Sequence, residues 1–300
     1  MAVDANKFRA RVYRTQLPGS QVLGELDSLR DLDVRHEKRA FWAIRVGWGA
    51  LVLAVACFLV WVNTEAWEDP TLHEVARKGC VLLFVVSLAA FLLRALSSRL
   101  DLENRRYELV TRLVRLLQAD TAPQEPMTVE LDFRPATHSD KFSGESATVN
   151  GWTVKSYVDR WLSLQTRLLD GTYLRVEMLE RTGKRSRSKR SSSGRYKTKY
   201  KTLSDALVRV RLQVKPEKYQ HLGRLGARAR DAVKIPLGCR LKSLSVEEDR
   251  LELTVLMKGT WGVENERTQV NAVQVMAMSL LSLYQLLNLS RALDKKAAHP

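Results

Sequence analysis

Cysteine and histidine are scarce in this chain of 300 residues. The three cysteines are widely separated and form no CxxC pair, which excludes a disulfide framework and a cysteine metal cluster. The five histidines include no HExxH motif and no pair at metal-ligand spacing. His138, Ser139 and Asp140 are consecutive, and neighbouring side chains point apart, so they do not read as a catalytic triad. We expect no catalytic residue, no metal site and no cofactor, and the chain is predicted not to be an enzyme.

Acidic residues are absent from one segment in the middle of the chain. Residues 181–201, RTGKRSRSKRSSSGRYKTKYK, contain ten lysines and arginines and no aspartate or glutamate. The whole chain has a formal net charge of +16, so this single run supplies most of the positive excess. The charge is therefore a local feature, which points to a binding element more than to a generally basic surface.

Charged residues are also missing from most of two long apolar segments, residues 40–62 and 79–98. Each is close to the length that crosses a bilayer core of about 30 Å as a helix. Arg45 and Arg94 lie near one end of their segments, where a long side chain can reach the headgroups. Neither segment has the polar face of a helix on a soluble domain. The sequence predicts a transmembrane helical hairpin over 40–98 with a short external loop at 63–78.

The basic residues around this hairpin predict its orientation. Only Arg77 and Lys78 lie in the loop, whereas four basic residues precede the first span and six follow from the end of the second. Lysine and arginine concentrate on the cytoplasmic side of membrane proteins. We expect an integral membrane protein with both termini in the cytoplasm, a cytosolic N-terminal segment over 1–39 and, in a bacterium, an inner-membrane location.

An amphipathic stalk helix and linker are predicted over 99–126. Apolar residues recur there at alternating steps of four and three, with Glu103 as the polar interruption. A second apolar stripe makes this face wider than a two-stranded seam needs. Self-association and packing against the protein's own domain therefore both remain open. The oligomerisation candidates are Leu100, Tyr107, Val110, Val114 and Leu117.

Residues 127–300 have the pattern of an α+β cytosolic domain built on antiparallel strands. Asn150-Gly151 and Asp170-Gly171 are placed as hairpin turns, and the segment 206–214 alternates between apolar and polar residues. Segment 216–233 is predicted helical. The uncharged segment 268–290 is predicted to be a helix that covers the sheet, with a third membrane span as the alternative. The fold class is an α+β membrane protein, in which the hairpin and stalk precede an antiparallel-sheet domain with packing helices.

The basic run falls between two of these strands. Residues 183–194 are expected to form the connecting loop or the disordered tip of a long hairpin, and the lysines of YKTKYK form a row along a sheet edge. The candidate polyanion-binding residues are Lys184, Arg185, Arg187, Lys189, Arg190, Arg195, Lys197, Lys199 and Lys201.

Three interpretations of this basic hairpin compete. It is a solvated edge that discourages aggregation, a contact to anionic lipid, or a site for nucleic acid or an acidic protein. The function that fits best is a membrane-anchored, non-enzymatic interaction or scaffold protein, which engages an acidic partner or surface and forms a homo-oligomer if the stalk is a seam. The alternative is a membrane-active effector, in which a sensing or assembly domain controls the transmembrane helices.

Overall fold

The computed structural model describes residues 11–64, 70–98, 102–148, 151–190, 194–226, 229–264 and 269–298. The chain divides into two compact units. One comprises Asp27–Leu102, and the other is formed by the flanking residues, through Leu26 and from Glu103 onward. We call the second unit the sheet domain.

The sheet domain is built on one sheet of eight strands. The strands are β1 (Val12–Pro18), β2 (Pro126–Asp132), β3 (Phe142–Ala147), β4 (Thr153–Arg167), β5 (Tyr173–Arg190), β6 (Tyr196–Gln213), β7 (Cys239–Val246) and β8 (Arg250–Lys258). Their order is β1-β2-β4-β5-β6-β8-β7, with β3 paired to β4, and every pair is antiparallel. The mixed α and β architecture with an antiparallel sheet confirms the coarse fold prediction.

The turns that the sequence indicates form as expected where the structure describes them. Gly171 has a φ of 86°, and the Thr172 amide donates to Asp170 Oδ1 at 2.8 Å, which closes the turn between β4 and β5. Gly151 has a φ of 68° between β3 and β4, whereas its predicted partner Asn150 lies outside the described residues. These positive φ values favour glycine because a Cβ atom would strain the backbone.

Two helices lie in the core of the sheet domain, α3 (Asn104–Gln118) and α5 (Ala272–Ala298). The short α4 (Ala229–Ala232) precedes β7, and a two-stranded ladder of β9 (Trp261–Gly262) and β10 (Val270–Asn271) precedes α5. Helix α5 contacts β6, β8 and α3, and it buries Val275, Met276 and Leu283. The prediction that this segment covers the sheet is thus the one that the packing supports.

Two long helices, α1 (Gly19–Thr64) and α2 (Pro70–Ser98), contain the apolar segments. Trp48 and Phe91 pack edge to face, and Ser87 Oγ donates to the Gly47 carbonyl at 3.0 Å. Many large apolar side chains of both helices are exposed, among them Leu82 at 65% and Val52 at 65%. By length and composition alone, three helices are apolar enough to cross a membrane: α1, α2 and α5. These features suggest a membrane protein.

The predicted segment boundaries need three corrections. The N-terminal segment 1–39 is divided, because Val12–Pro18 pairs with β2 as an edge strand and α1 begins at Gly19. The loop 63–78 is shorter than expected, since α2 begins at Pro70. The region 99–126 is not a free stalk: Leu102 and Glu103 are non-helical, and α3 packs inside the sheet domain.

The helix expected over 216–233 forms only short pieces, at Pro216–Lys218, Leu222–Leu225 and Ala229–Ala232. Gly223 lies within the second piece and Gly226 directly follows it, and glycine lowers the stability of a helix by about 1 kcal/mol relative to alanine.

Candidate polyanion-binding ribbon

Most of the basic run continues two strands, which corrects the loop expected over 183–194 and agrees with the alternative of a long hairpin, whose central residues 191–193 lie outside the described residues. Strand β5 extends to Arg190 and β6 starts at Tyr196, and the two strands are paired up to these two residues. Basic residues and serines alternate over 185–189, so the segment has the period of a strand as well as the composition of a loop. We call residues 183–190 and 196–203 the basic ribbon.

The ribbon protrudes beyond its neighbouring strands. Pairing between β6 and β8 ends at Asp205, and pairing between β4 and β5 ends at Ser186. From Arg187 onward, β5 and β6 therefore have only each other as partners among the described residues. A two-stranded arm of this kind exposes both of its faces to a partner.

The register sorts six cations onto one face of the arm. Arg185 pairs with Lys201, Arg187 with Lys199 and Lys189 with Lys197. Directly opposed residues share a face, and alternate residues of a strand repeat at about 6.7 Å. The result is two parallel rows of three positive charges, which we call the basic face: Arg185, Arg187, Lys189, Lys197, Lys199 and Lys201.

These cations have no carboxylate partner within the described part of the chain. Lys201 Nζ lies 5.9 Å from the centre of the Trp152 ring, a contact that holds the cation without neutralising it. Like charges directly opposite each other destabilise a sheet. The protein therefore maintains an arrangement that costs conformational stability, which a solvated edge alone does not require.

The other face of the ribbon is polar and aromatic. Ser188 and Thr198 share a hydrogen bond of 2.8 Å between their hydroxyls, and Tyr196 and Tyr200 are 75% and 78% exposed. Lys184 and Arg190 also belong to this face, because they pair with Thr202 and Tyr196. The candidate residue Arg195 is exposed at the turn, next to Gly194, and lies in neither row.

A buried ion network anchors the base of the ribbon to α3. Arg106 is fully buried, and its Nη2 lies 2.8 Å from Asp159 Oδ2 on β4 and 3.5 Å from Glu180 Oε2 on β5. Its Nε lies 2.6 Å from Glu103 Oε2, and Lys141 Nζ lies 2.7 Å from Asp159 Oδ1. Burial would lower the pKa of Arg106, but these three carboxylates outweigh it and raise that pKa.

A bulge in β4 completes this anchor. The register shifts between Arg160 and Leu162, which lets the adjacent Trp161 and Leu162 both be buried, at 1% and 2% exposure. The Trp161 ring stacks on that of Trp261 with centroids 5.4 Å apart, and the Trp261 indole donates to Glu180. In the sequence, the only sign of this network is Glu103, the polar interruption of the apolar stripe.

The oligomerisation candidates on α3 are part of the core. Tyr107 and Leu117 are 2% exposed, and Val110 and Val114 are completely buried. The face expected to meet a second copy is thus occupied within the same chain, which corrects the idea of a free helical seam. Leu100, the remaining candidate, lies outside the described residues.

The residues considered for catalysis have structural contacts. Ser139 Oγ donates to Asp140 Oδ1 at 3.2 Å, and Asp140 accepts from Arg134 Nη1 at 2.7 Å. Burial raises the pKa of the Cys239 thiol, which opposes formation of the nucleophilic thiolate. In the part of the chain that the structure describes, no three His, Cys, Asp or Glu side chains are grouped to hold a metal ion.

Comparisons with family models, with curated proteins and with solved structures gave no match to this chain. The function is therefore argued from the ribbon and its surroundings.

Proposed function

We propose that the protein is a membrane-anchored, non-enzymatic interaction protein whose sheet domain binds nucleic acid through the basic ribbon. The observation that carries this proposal is the basic face: three directly opposed cation pairs with no neutralising carboxylate among the described residues. The apolar α1 and α2 supply the anchor, and the flanking basic residues favour cytoplasmic termini.

Three properties of the ribbon favour nucleic acid as the polyanion. Its rows of cations suit the regular charge of a phosphate backbone, which dominates the affinity of nucleic-acid-binding proteins. A two-stranded arm fits the major groove of duplex DNA, which is about 12 Å wide. The exposed Tyr196 and Tyr200 offer rings for base contacts on the opposite face. A flat lipid surface would engage one face and leave the other in water.

The test compares two matched double variants of the full chain in a non-ionic detergent. R187Q/K199Q removes one arginine and one lysine from the basic face, whereas K184Q/R190Q removes the same residue types from the other face. Binding of a fluorescent DNA duplex is followed by anisotropy at several salt concentrations. We expect R187Q/K199Q to weaken binding and to reduce the slope of log affinity against log salt by about 0.9 for each lost phosphate contact.

Two results would contradict this function. One is equal weakening by both variants, since only net charge would then matter. The other is that the full chain binds anionic vesicles but binds neither duplex nor single-stranded nucleic acid, which would make lipid the partner.

A further inference from the structure

A cavity of about 640 Å³ opens on the face of the sheet opposite the apolar core. The register places Glu177, Arg209, Thr254 and Ser243 in one row across β5, β6, β8 and β7 on this face. The adjacent row contains Leu179 and Leu207, which provide an apolar patch beside the polar groups. The volume lies within the range of small-molecule sites, about 300–1,000 Å³.

The charges of the cavity are unbalanced. Five basic and two acidic side chains line it, and both acids already have partners: Glu130 pairs with Arg14 at 3.5 Å, and Glu177 with Arg175 at 2.6 Å. Within the described ranges, Arg160, Arg181 and Lys242 have no ion pair. Three cations therefore remain available to a ligand with more than one negative charge.

Two buried polar atoms in the cavity wall also lack a partner. Thr254 is 4% exposed, and its Oγ1 forms no hydrogen bond with any group that the structure describes; the same holds for Arg175 Nε. Buried donors without partners destabilise the folded state, so each such atom calls for an explanation. Both atoms are almost inaccessible to solvent, so Thr254 Oγ1 can donate to a ligand in the cavity only after its side chain rotates.

We infer that this cavity is a binding site for a phosphorylated small molecule, separate from the basic ribbon. The phosphates meet Arg160, Arg181 and Lys242, because guanidinium groups bind phosphate with paired hydrogen bonds. The uncharged part of the ligand covers Leu179 and Leu207, and Thr254 Oγ1 donates to it or to a phosphate oxygen.

Isothermal titration calorimetry on the full chain in detergent tests this inference with ATP, inorganic tripolyphosphate and adenosine as probes. We expect saturable binding of ATP, weaker binding of tripolyphosphate, which lacks the apolar part, and no binding of adenosine, which lacks the charge. R160Q/R181Q should lower ATP affinity at least about tenfold, since the loss of a single charge-assisted hydrogen bond lowers affinity by about that factor. R187Q/K199Q in the ribbon should leave it unchanged.

T254V is a second variant, which we expect to fold as the wild type does. Removing an unpartnered buried hydroxyl should maintain or raise the melting temperature of the free protein while lowering ATP affinity about three- to tenfold. The inference is overturned if neither ATP nor tripolyphosphate binds saturably at millimolar concentration. It also fails if ribbon and cavity variants weaken ATP binding equally. Neither result bears on the proposed ribbon function, which is measured with nucleic acid.

Discussion

Arg106 Nη2 and Asp159 Oδ2 lie 2.8 Å apart, and both side chains are 1% exposed. This pair joins α3 to β4 in the interior, and Asp159 is opposite Glu180, which lies three residues before the ribbon on β5. A buried ion pair need not stabilise the fold more than apolar residues of similar size would, because the cost of desolvating both ions offsets their attraction. Removal of one ion, however, leaves the other buried without a counter-ion, and this destabilises the fold.

Loss of either partner should therefore destabilise the sheet domain strongly. R106Q should lower the free energy of unfolding by about 3–5 kcal/mol, because it leaves buried carboxylates without their counter-ion. R112Q on the same helix is the matched control, since the Arg112–Glu264 pair is exposed and such pairs contribute about 0–1 kcal/mol. Urea unfolding followed by tryptophan fluorescence measures both. Similar losses in the two variants would contradict a special role for the buried pair.

The opposed cations of the ribbon predict that stability and binding change in opposite directions. R187E places a carboxylate opposite Lys199 and should raise the stability of the sheet domain by about 0.2–1 kcal/mol. The same change should weaken nucleic-acid binding, because it reverses charge in the middle of the basic face. K184E, opposite Thr202, is the control with an identical change in charge. If R187E lowered stability and left binding intact, the basic face would have no binding role.

The packing of α3 predicts that its apolar face stabilises the chain's own fold. L117A should lower the free energy of unfolding by about 2–5 kcal/mol, because Leu117, one of the oligomerisation candidates, is only 2% exposed. L116A makes the same change at a side chain that is 50% exposed and should stay within about 0.5 kcal/mol of the wild type. Chemical crosslinking in membranes completes the test. If L117A had unchanged stability and lost the crosslinks, the helical seam would be the correct interpretation.

Tyr13 predicts a loss of stability in alkaline solution. Burial and then the 2.7 Å hydrogen bond to Glu25 raise the pKa of its phenol. The unfolded chain releases the proton near pH 10, well before the folded chain does, so this contribution is complete below about pH 10 and decreases above it. The urea midpoint of the wild type should fall more steeply above about pH 10 than that of Y13F. Parallel curves would show that Tyr13 does not cause the loss.

The orientation of the apolar hairpin can be measured with single cysteines in a background without Cys57, Cys80 and Cys239. A reagent that does not cross membranes should label T71C in intact cells, since the exposed Thr71 lies in the predicted external segment. It should not label S188C on the ribbon until the cells are opened. External labelling of S188C would reverse the orientation and remove a cytoplasmic partner.

Several features of this protein follow from short stretches of sequence. The alternation over 206–214 predicts which side chains are buried, and Ala206, Val208 and Val210 are at most 1% exposed. Asp170-Gly171 predicts its turn, and the long apolar segments predict helices of sufficient length for a membrane. These features depend on the period of a strand, the freedom of glycine and the length of an apolar run, all of which act within a few residues.

The tertiary structure alone decided what the wider patterns mean. The apolar stripe of α3 fits a partner helix or a sheet equally well by spacing, and only the folded chain shows that its own core covers Val110 and Val114. Arg106 is one of many arginines in the sequence, and its burial depends on carboxylates that are 53 and 74 positions away. The pairing of Arg187 with Lys199 depends on the register of two strands. Contacts between distant residues arise only when the whole sheet is assembled, and no local period encodes them.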